Sequence, residues 1–261
     1  MEYESIKLWK NGTDESMLFR TLTPVEGPKP AMLVIPGGGY ACVCHDWEGT
    51  PIAERFEELG FRTFILRYRV SPHRFPEPQQ DAIRAMRLIR GNAAKWGVIP
   101  DNIAVVGFSA GGHLACSLGT ICAGVDASDG DEFDAVDFMP NGSVLSYAVI
   151  TGGEKAHRGS VDCLMGESTP ENIDFFSLER HVSEKTPPAF VWATMEDGLV
   201  PPENSIDFAL AMKKAGRPCE LHGFPHGQHG IQLGKGMDDV PAWPAEAAIF
   251  LRGSCGFSLP R

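Results

Sequence analysis

Residues 103–115 are Ile103-Ala-Val-Val-Gly107-Phe-Ser109-Ala-Gly111-Gly-His-Leu-Ala115. An apolar run of strand length meets Gly-x-Ser-x-Gly, and the small residues that follow, as far as Gly119, predict a helix. Gly107 and Gly111 leave room for a sharp turn, because a side chain at either position would crowd the neighbouring strand or helix. A serine exposed on such a turn becomes a nucleophile when a base lies beside it. The stretch therefore predicts a nucleophile elbow at Ser109, rather than a glycine-rich turn with an inert serine.

The composition indicates which partners and which cellular environment the protein suits. The 261 residues include 23 Lys and Arg against 34 Asp and Glu, a net charge of −11 that disfavours nucleic acid and anionic membranes as partners. The charged N-terminus, residues 1–9, lacks the apolar core of a secretory signal, and no apolar run reaches the length of a membrane span. Seven scattered cysteines indicate reduced thiols rather than a disulfide framework. We expect a soluble cytoplasmic protein with neutral substrates; the sequence gives no indication of oligomeric state.

Hydrophobic periodicity predicts alternating strands and helices. Strands are predicted at 5–9, 17–22, 31–35, 61–68, 103–106, 144–150, 189–194 and 219–224, and helices at 48–59, 79–96, 110–119, 204–215 and 242–251. Residues 152–188 are mixed and contain prolines, which favours a lid or connecting insertion. The alternation predicts one α/β domain over 1–261, with a mainly parallel sheet covered on both faces. The active site of such a sheet lies at the carboxyl ends of its strands.

A serine nucleophile needs a base, and the base needs an acid to orient it. Asp197 follows a predicted strand and precedes a glycine, so it is the favoured acid, with Glu196 as the alternative. The alternative role for Asp197 is merely to cap a turn, the ordinary role of Asp before Gly. The loop after the last strand offers two histidines, His226 and His229. Position in the loop favours His229, and His226 stays open.

The glycines of Pro36-Gly37-Gly38-Gly39 follow a buried strand, where their N–H groups can face a substrate. They predict one half of an oxyanion hole, and the N–H of Ala110 at the start of the elbow helix predicts the other half. Phosphate binding is disfavoured, because neither a Walker Lys-Ser/Thr nor Gly-x-Gly-x-x-Gly follows.

Two clusters of potential metal ligands lack the spacing of a metal site. The segment 42–45, Cys-Val-Cys-His, has no second ligand pair for zinc. The acidic segment 126–137 does not match an EF-hand loop, so we expect a solvated loop, the alternative being an adventitious calcium site. No metal ion is predicted.

Together these motifs resemble the α/β-hydrolase superfamily, and within it the small carbohydrate esterases of the acetyl xylan esterase and bifunctional feruloyl esterase type. The resemblance runs from about residue 30 to 235, most of the chain. The matching segments are Ile35-Pro-Gly-Gly-Gly-Tyr40, Glu48-Gly49-x-Pro51-Ile52-Ala53, Tyr68-Arg69-Val70-x-Pro72, Asp81-x-x-Arg84-Ala85, Pro100-Asp101-x-Ile103, Gly107-Phe-Ser-Ala-Gly-Gly-His-Leu-Ala115, Asp197-Gly-Leu-Val-Pro201-x-Glu203-Asn204-Ser205 and His229-Gly230.

The resemblance implies an α/β-hydrolase fold and assigns roles to matching positions. Ser109 is the implied nucleophile, Asp197 the orienting acid and His229 the base. The implied oxyanion donors are Gly38, Gly39 and Ala110, although the related lipase-type motif has His where this chain has Pro36. Asp81 and Arg84 also match, and at the start of a predicted helix we expect them to be structural.

The implied function is a serine esterase that removes short acyl groups, acetyl above all, from decorated sugars or xylo-oligosaccharides. Its substrate is a small-molecule or oligosaccharide ester, and the chemistry requires no cofactor or metal. The alternatives are an amide or peptide hydrolase of the arylformamidase or dipeptidyl peptidase type and a lipase-like short-chain esterase. A small-molecule binding module on the same fold would have a broken triad, whereas all three residues are present here.

Overall fold

The computed structural model describes residues 2–23 and 26–260. Within them one sheet of eight strands has the order β1-β2-β4-β3-β5-β6-β7-β8. The six strands β3 to β8 are parallel to one another. At one edge of the sheet β2 pairs antiparallel with β4, and β1 pairs antiparallel with β2. Their bounds are β1 Tyr3–Lys7, β2 Met17–Thr21, β3 Lys29–Ile35, β4 Arg62–Arg67, β5 Val98–Phe108, β6 Gly142–Ser146, β7 Ala189–Thr194 and β8 Cys219–Phe224. The mainly parallel sheet that the sequence predicts is confirmed.

Helices cover both faces of the sheet. They are α1 Thr50–Glu58, α2 Glu77–Gly91, α3 Ala93–Trp96, α4 Ser109–Leu118, α5 Arg158–Met165, α6 Pro170–Phe176, α7 Glu203–Lys214 and α8 Trp243–Cys255. Alternate residues of β3 enter different cores: Leu33 packs with α2 and α4, and Val34 packs with α1 and α8. A strand buried on both faces is apolar throughout, which is why β3 is a continuous hydrophobic run. No helix within the described ranges has the length and apolar character needed to cross a membrane.

Several predicted elements differ from those observed. The strand predicted at 5–9 is β1, Tyr3–Lys7, and the strand predicted at 103–106 is the longer β5, Val98–Phe108. The helix predicted at 48–59 begins as a π-helical turn, His45–Gly49, and becomes α1 at Thr50. The single helix predicted at 79–96 is wrong, since the chain forms α2 and α3 with a break at Asn92. The strand predicted at 144–150 is wrong at its end, because Tyr147 has a left-handed φ of 36° and β6 stops before it.

The predicted insertion, 152–188, holds α5 and α6 and connects β6 to β7. It buries Val161, Leu164 and Phe176 in the main core, so much of it is packed onto the domain. Its action as a lid stays a prediction.

The acidic segment 126–137 is anchored by Arg84 of α2. The guanidinium is buried and binds the carboxylate of Asp131 through both terminal nitrogens, with Asp129 3.6 Å and Asp134 3.5 Å away. The expectation of a solvated loop therefore fails for these three acids, which the buried cation attracts. Arg84 holds two segments together, the structural role expected of it. Across the two described ranges, no group of three or more His, Cys, Asp or Glu residues could hold a metal ion.

Candidate active site

Ser109 lies at the sharp turn between β5 and α4. Its φ of 52° is left-handed, a conformation that a non-glycine residue adopts only when its surroundings impose it. The packing does so: a Cβ added at Gly107 would lie 2.3 Å from the carbonyl oxygen of Gly111, and one at Gly111 would lie 2.2 Å from that of Ile35. Both glycines are therefore required by close backbone contact, and the turn presents the Ser109 hydroxyl at the carboxyl end of β5.

Two loops bring a histidine and an aspartate to this hydroxyl. His229, after β8, has its Nε2 2.9 Å from Ser109 Oγ, and its Nδ1 lies 2.7 Å from Oδ2 of Asp197, which follows β7. The other carboxylate oxygen, Oδ1, accepts the N–H groups of Leu199 at 3.0 Å and Val200 at 2.9 Å. Asp197 thus caps a turn and binds the imidazole at once, and the cap fixes the direction of the oxygen that faces His229.

The alternative acid and base lie apart from this chain of hydrogen bonds. His226 Nδ1 is 2.9 Å from Glu196 Oε1, and both side chains are largely exposed. The hydrogen bond raises the pKa of His226 and lowers that of Glu196. The structure therefore brings His229 and Asp197 to Ser109, and pairs the alternatives with each other at the surface.

The glycine loop lies directly against Ser109. A Cβ added at Gly37 would be 2.9 Å from the Cβ of Ser109. Gly38 and Gly39 adopt φ angles of 128° and 66°, which favour glycine. In the described part of the chain their N–H groups have no acceptor, and Ala110 is the second residue of α4, where a helix N–H has no intrahelical partner. Unpaired donors from two segments are thus available beside the serine.

A buried carboxylate, Glu48, supports the glycine loop from below. Its Oε2 accepts the Gly37 N–H at 2.8 Å, and its Oε1 accepts the Tyr147 hydroxyl at 2.7 Å. Burial raises the pKa of Glu48, against the lowering effect of the hydrogen bonds from Tyr147 and Gly37 and of the charge of His229. The Tyr147 ring also meets the His229 ring edge-on, with centroids 5.0 Å apart. Sequence reasoning quotes Glu48 within a motif but assigns it no role, because only the fold brings it under the loop.

The site opens into a cavity of about 510 Å³. Its walls come from segments far apart in sequence, and the lining residues are Gly38, Gly39, Ala41, Cys44, Trp47, Glu48, Ser109, His157, Gly159, Cys163, Leu199, His229, Gly230 and Gln232. His157, just before α5, binds Ser160 Oγ through Nδ1 at 2.8 Å. Burial lowers the pKa of His157, which favours its neutral imidazole. The wall thus combines apolar side chains with polar groups, among them His157 and the carboxylate of Glu48, beside Ser109.

Comparison with known proteins shows the family to which this chain belongs. The BD-FAE family model matches residues 22–212. The chain belongs to the BD-FAE family. This match covers most of the chain, includes Ser109 and Asp197, and ends before His229. The predicted resemblance to α/β-hydrolase esterases is thereby confirmed.

Three individual proteins are similar to this chain over most of its length. The crystal structure of an acetyl ester-xyloside bifunctional hydrolase from Caldicellulosiruptor lactoaceticus matches with a TM-score of 0.91 and 38% identity over 97% of both chains. An acetylxylan esterase of Xylanibacter ruminicola is 31% identical over 84% of this chain and 47% of its own length. Endo-1,4-beta-xylanase B of Butyrivibrio fibrisolvens is 39% identical over 83% of this chain and 34% of its own length. The chain thus spans a third to a half of these two curated relatives.

Proposed function

We propose that this protein is a serine esterase that removes acetyl groups from decorated sugars or xylo-oligosaccharides. The observation that carries the proposal is the hydrogen-bonded chain from Asp197 through His229 to Ser109, which ends at the strained turn inside a cavity. Two of the three relatives named above are named for acetyl ester hydrolysis, which favours an ester over an amide substrate. A net charge of −11, together with a cavity that no Lys or Arg side chain of the described residues lines, disfavours an anionic substrate and suits an uncharged one.

In the proposed first half-reaction His229 Nε2 takes the Ser109 proton as Oγ attacks the ester carbonyl. Asp197 holds the imidazole in the required orientation and stabilises the imidazolium. The N–H groups of Gly38, Gly39 and Ala110 donate to the oxyanion as charge develops on the carbonyl oxygen. The imidazolium then protonates the departing sugar hydroxyl, which leaves an acetyl group on Ser109.

Water completes the reaction by the same steps. His229 takes a proton from a water molecule, the hydroxide attacks the acetyl-enzyme, and acetate leaves as Ser109 recovers its proton. The acid, base and nucleophile are all side chains of this protein, so the cycle balances without a cofactor.

Replacement of Ser109 tests the mechanism. Ser109→Ala should lower kcat for acetate release from acetylated xylo-oligosaccharides by about 10⁴-fold or more, because it removes the hydroxyl that His229 Nε2 contacts. A fluorophosphonate should label wild type at Ser109 and leave this variant unlabelled. The exposed Ser254→Ala is the matched control and should keep full activity and labelling.

Two results would contradict different parts of the proposal. An active, unlabelled Ser109→Ala would remove the serine mechanism. A wild-type enzyme that hydrolyses ethyl acetate but releases no acetate from the oligosaccharides would leave the mechanism in place and remove the sugar substrate.

A further inference from the structure

A large exposed aromatic side chain stands at the edge of the active-site cavity. Trp47 is 68% exposed and lies on the π-helical turn His45–Gly49. Single π-helical turns occur frequently at functional sites, and exposed indole rings are typical of binding surfaces. Trp47 lines the active-site cavity and also a second cavity of about 220 Å³.

This second cavity, here the outer groove, adjoins the active-site cavity. It is lined by Asp46, Trp47, Pro51, Ile231, Gln232, Leu233 and Lys235. Trp47 and Gln232 belong to the linings of both cavities, so the two spaces meet across these residues. A substrate longer than one sugar unit, bound with its ester at Ser109, can therefore extend into the outer groove.

The shared wall is held rigidly at Gln232. Its φ of 51° is left-handed, and three hydrogen bonds fix the residue there. Its N–H donates to the Tyr147 hydroxyl at 3.3 Å, its carbonyl accepts the Trp243 indole N–H at 3.0 Å, and its side-chain amide donates to the Gly230 carbonyl. A left-handed non-glycine residue held in this way is more typical of a binding site than of an ordinary loop.

The polar groups of the outer groove identify the class of ligand. Asp46 and Lys235 are exposed, and neither forms an ion pair with another residue in the two described ranges. Beside Trp47 they offer a hydrogen-bond acceptor and donor next to a flat apolar face. A sugar ring can use all three, because its C–H face packs on the indole and its hydroxyls bind both charged groups. An acyl chain would cover both charged groups without pairing them, which is unfavourable.

We propose that the outer groove is a second sugar-binding subsite, in which a pyranose ring next to the acetylated sugar packs on Trp47. This inference rests on the proposed sugar substrate and adds to it a preference for oligosaccharides over single sugars. The shared position of Trp47 makes it a specificity-determining residue, because it contacts the part of the substrate outside the reacting ester.

The first test measures the ratio of kcat/KM for acetylated xylotriose to kcat/KM for ethyl acetate, an ester too small to reach the outer groove. Trp47→Ala should lower this ratio about tenfold, and Trp47→Phe by less, because a smaller ring retains part of the packing. Leu210→Ala removes another exposed apolar side chain, on α7, that lines neither cavity, and should leave the ratio unchanged. An unchanged ratio in Trp47→Ala would overturn the subsite.

The second test does not depend on catalysis. Calorimetric titration of unacetylated xylotriose should show binding to wild type and at least tenfold weaker binding to Trp47→Ala and to the double variant Asp46→Asn with Lys235→Met. No binding to wild type, or equal binding to all variants, contradicts the subsite even if the enzyme deacetylates sugars. Binding that is lost in the variants supports the subsite even if acetate release fails, which separates this inference from the proposed function.

Discussion

The floor and the rim of the cavity are built differently. The floor consists of Ser109, the glycine loop 37–39 and the pair Asp197 and His229. It follows strands, and it is held by close backbone contacts at Gly37 and Gly38 and by the two hydrogen bonds of His229. The rim consists of Trp47, His157 and Leu199, which lie outside the sheet, and Trp47 and Leu199 are 68% and 52% exposed. The positions of the reacting groups therefore depend on the sheet, whereas the positions of the side chains that meet the rest of the substrate do not. Changes in the floor should thus affect every substrate, and changes in the rim should affect substrates selectively.

The largest effect should come from the base in the floor. His229→Ala should lower kcat on ethyl acetate and on acetylated xylo-oligosaccharides alike by about 10⁴-fold, because it removes the imidazole that contacts the Ser109 hydroxyl. Combining it with Ser109→Ala should cost little more, since the three residues act as one unit. Steady-state kinetics on both substrates check this.

His226→Ala is the matched control from the same loop. The pairing of His226 with Glu196 at the surface leaves it no contact with Ser109, so this variant should retain most activity. If His226→Ala lost activity and His229→Ala kept it, the base would be His226, and His229 would not belong to the floor.

The sequence predicts the floor well because local constraints specify it. A buried parallel strand must be apolar, a turn without space must contain glycine, and both features stand directly next to Ser109 in the chain. The order of acid and base along the chain then follows from the sheet. The choices between His226 and His229 and between Asp197 and Glu196 need the fold, because the two candidates of each pair lie close together in one loop and no periodicity distinguishes them.

The rim could not be predicted in this way. Trp47 lies on a π-helical turn, one residue before the helix that the sequence predicts at 48–59, and π-helical turns have no sequence period of their own. His157 lies in the insertion, where two short helices follow prolines and glycines in no regular pattern. Glu48 belongs to the support of the floor, and its role depends on contact with Gly37 and Tyr147, residues 11 and 99 positions away.

A smaller effect is expected from Glu48, which accepts a hydrogen bond from the glycine loop of the floor. Glu48→Gln should lower kcat about tenfold on every ester, because it weakens the hydrogen bond that fixes Gly37 and removes a negative charge close to His229. Glu196→Gln alters an exposed carboxylate nearby and is the matched control, with little change expected. A loss confined to sugar substrates would assign Glu48 to the rim.

The same variant gives a pH-dependent change in stability. Burial raises the pKa of Glu48 above its ordinary value of 4.5, so folding favours the protonated form. The stability that this group contributes is fully present below the unfolded pKa and is lost as the pH rises through the higher folded pKa. The free energy of unfolding of wild type relative to Glu48→Gln should therefore fall from pH 4 to pH 7. Urea denaturation across this range measures it, and a rise would contradict the burial of a charged carboxylate.

The smallest effect should come from the rim histidine. His157 packs over Gly39, with its Cε1 3.7 Å from the position of an added Cβ, and its lowered pKa favours the neutral imidazole. One neutral hydrogen bond contributes about 0.5–1.5 kcal/mol, which is about a two- to tenfold change in kcat/KM. His157→Ala should show this loss on acetylated xylo-oligosaccharides and a smaller one on ethyl acetate. Ser160→Ala removes the hydrogen bond that orients the ring and should reproduce part of the loss, whereas a loss near 10⁴-fold on both esters would place His157 with His229 in the floor.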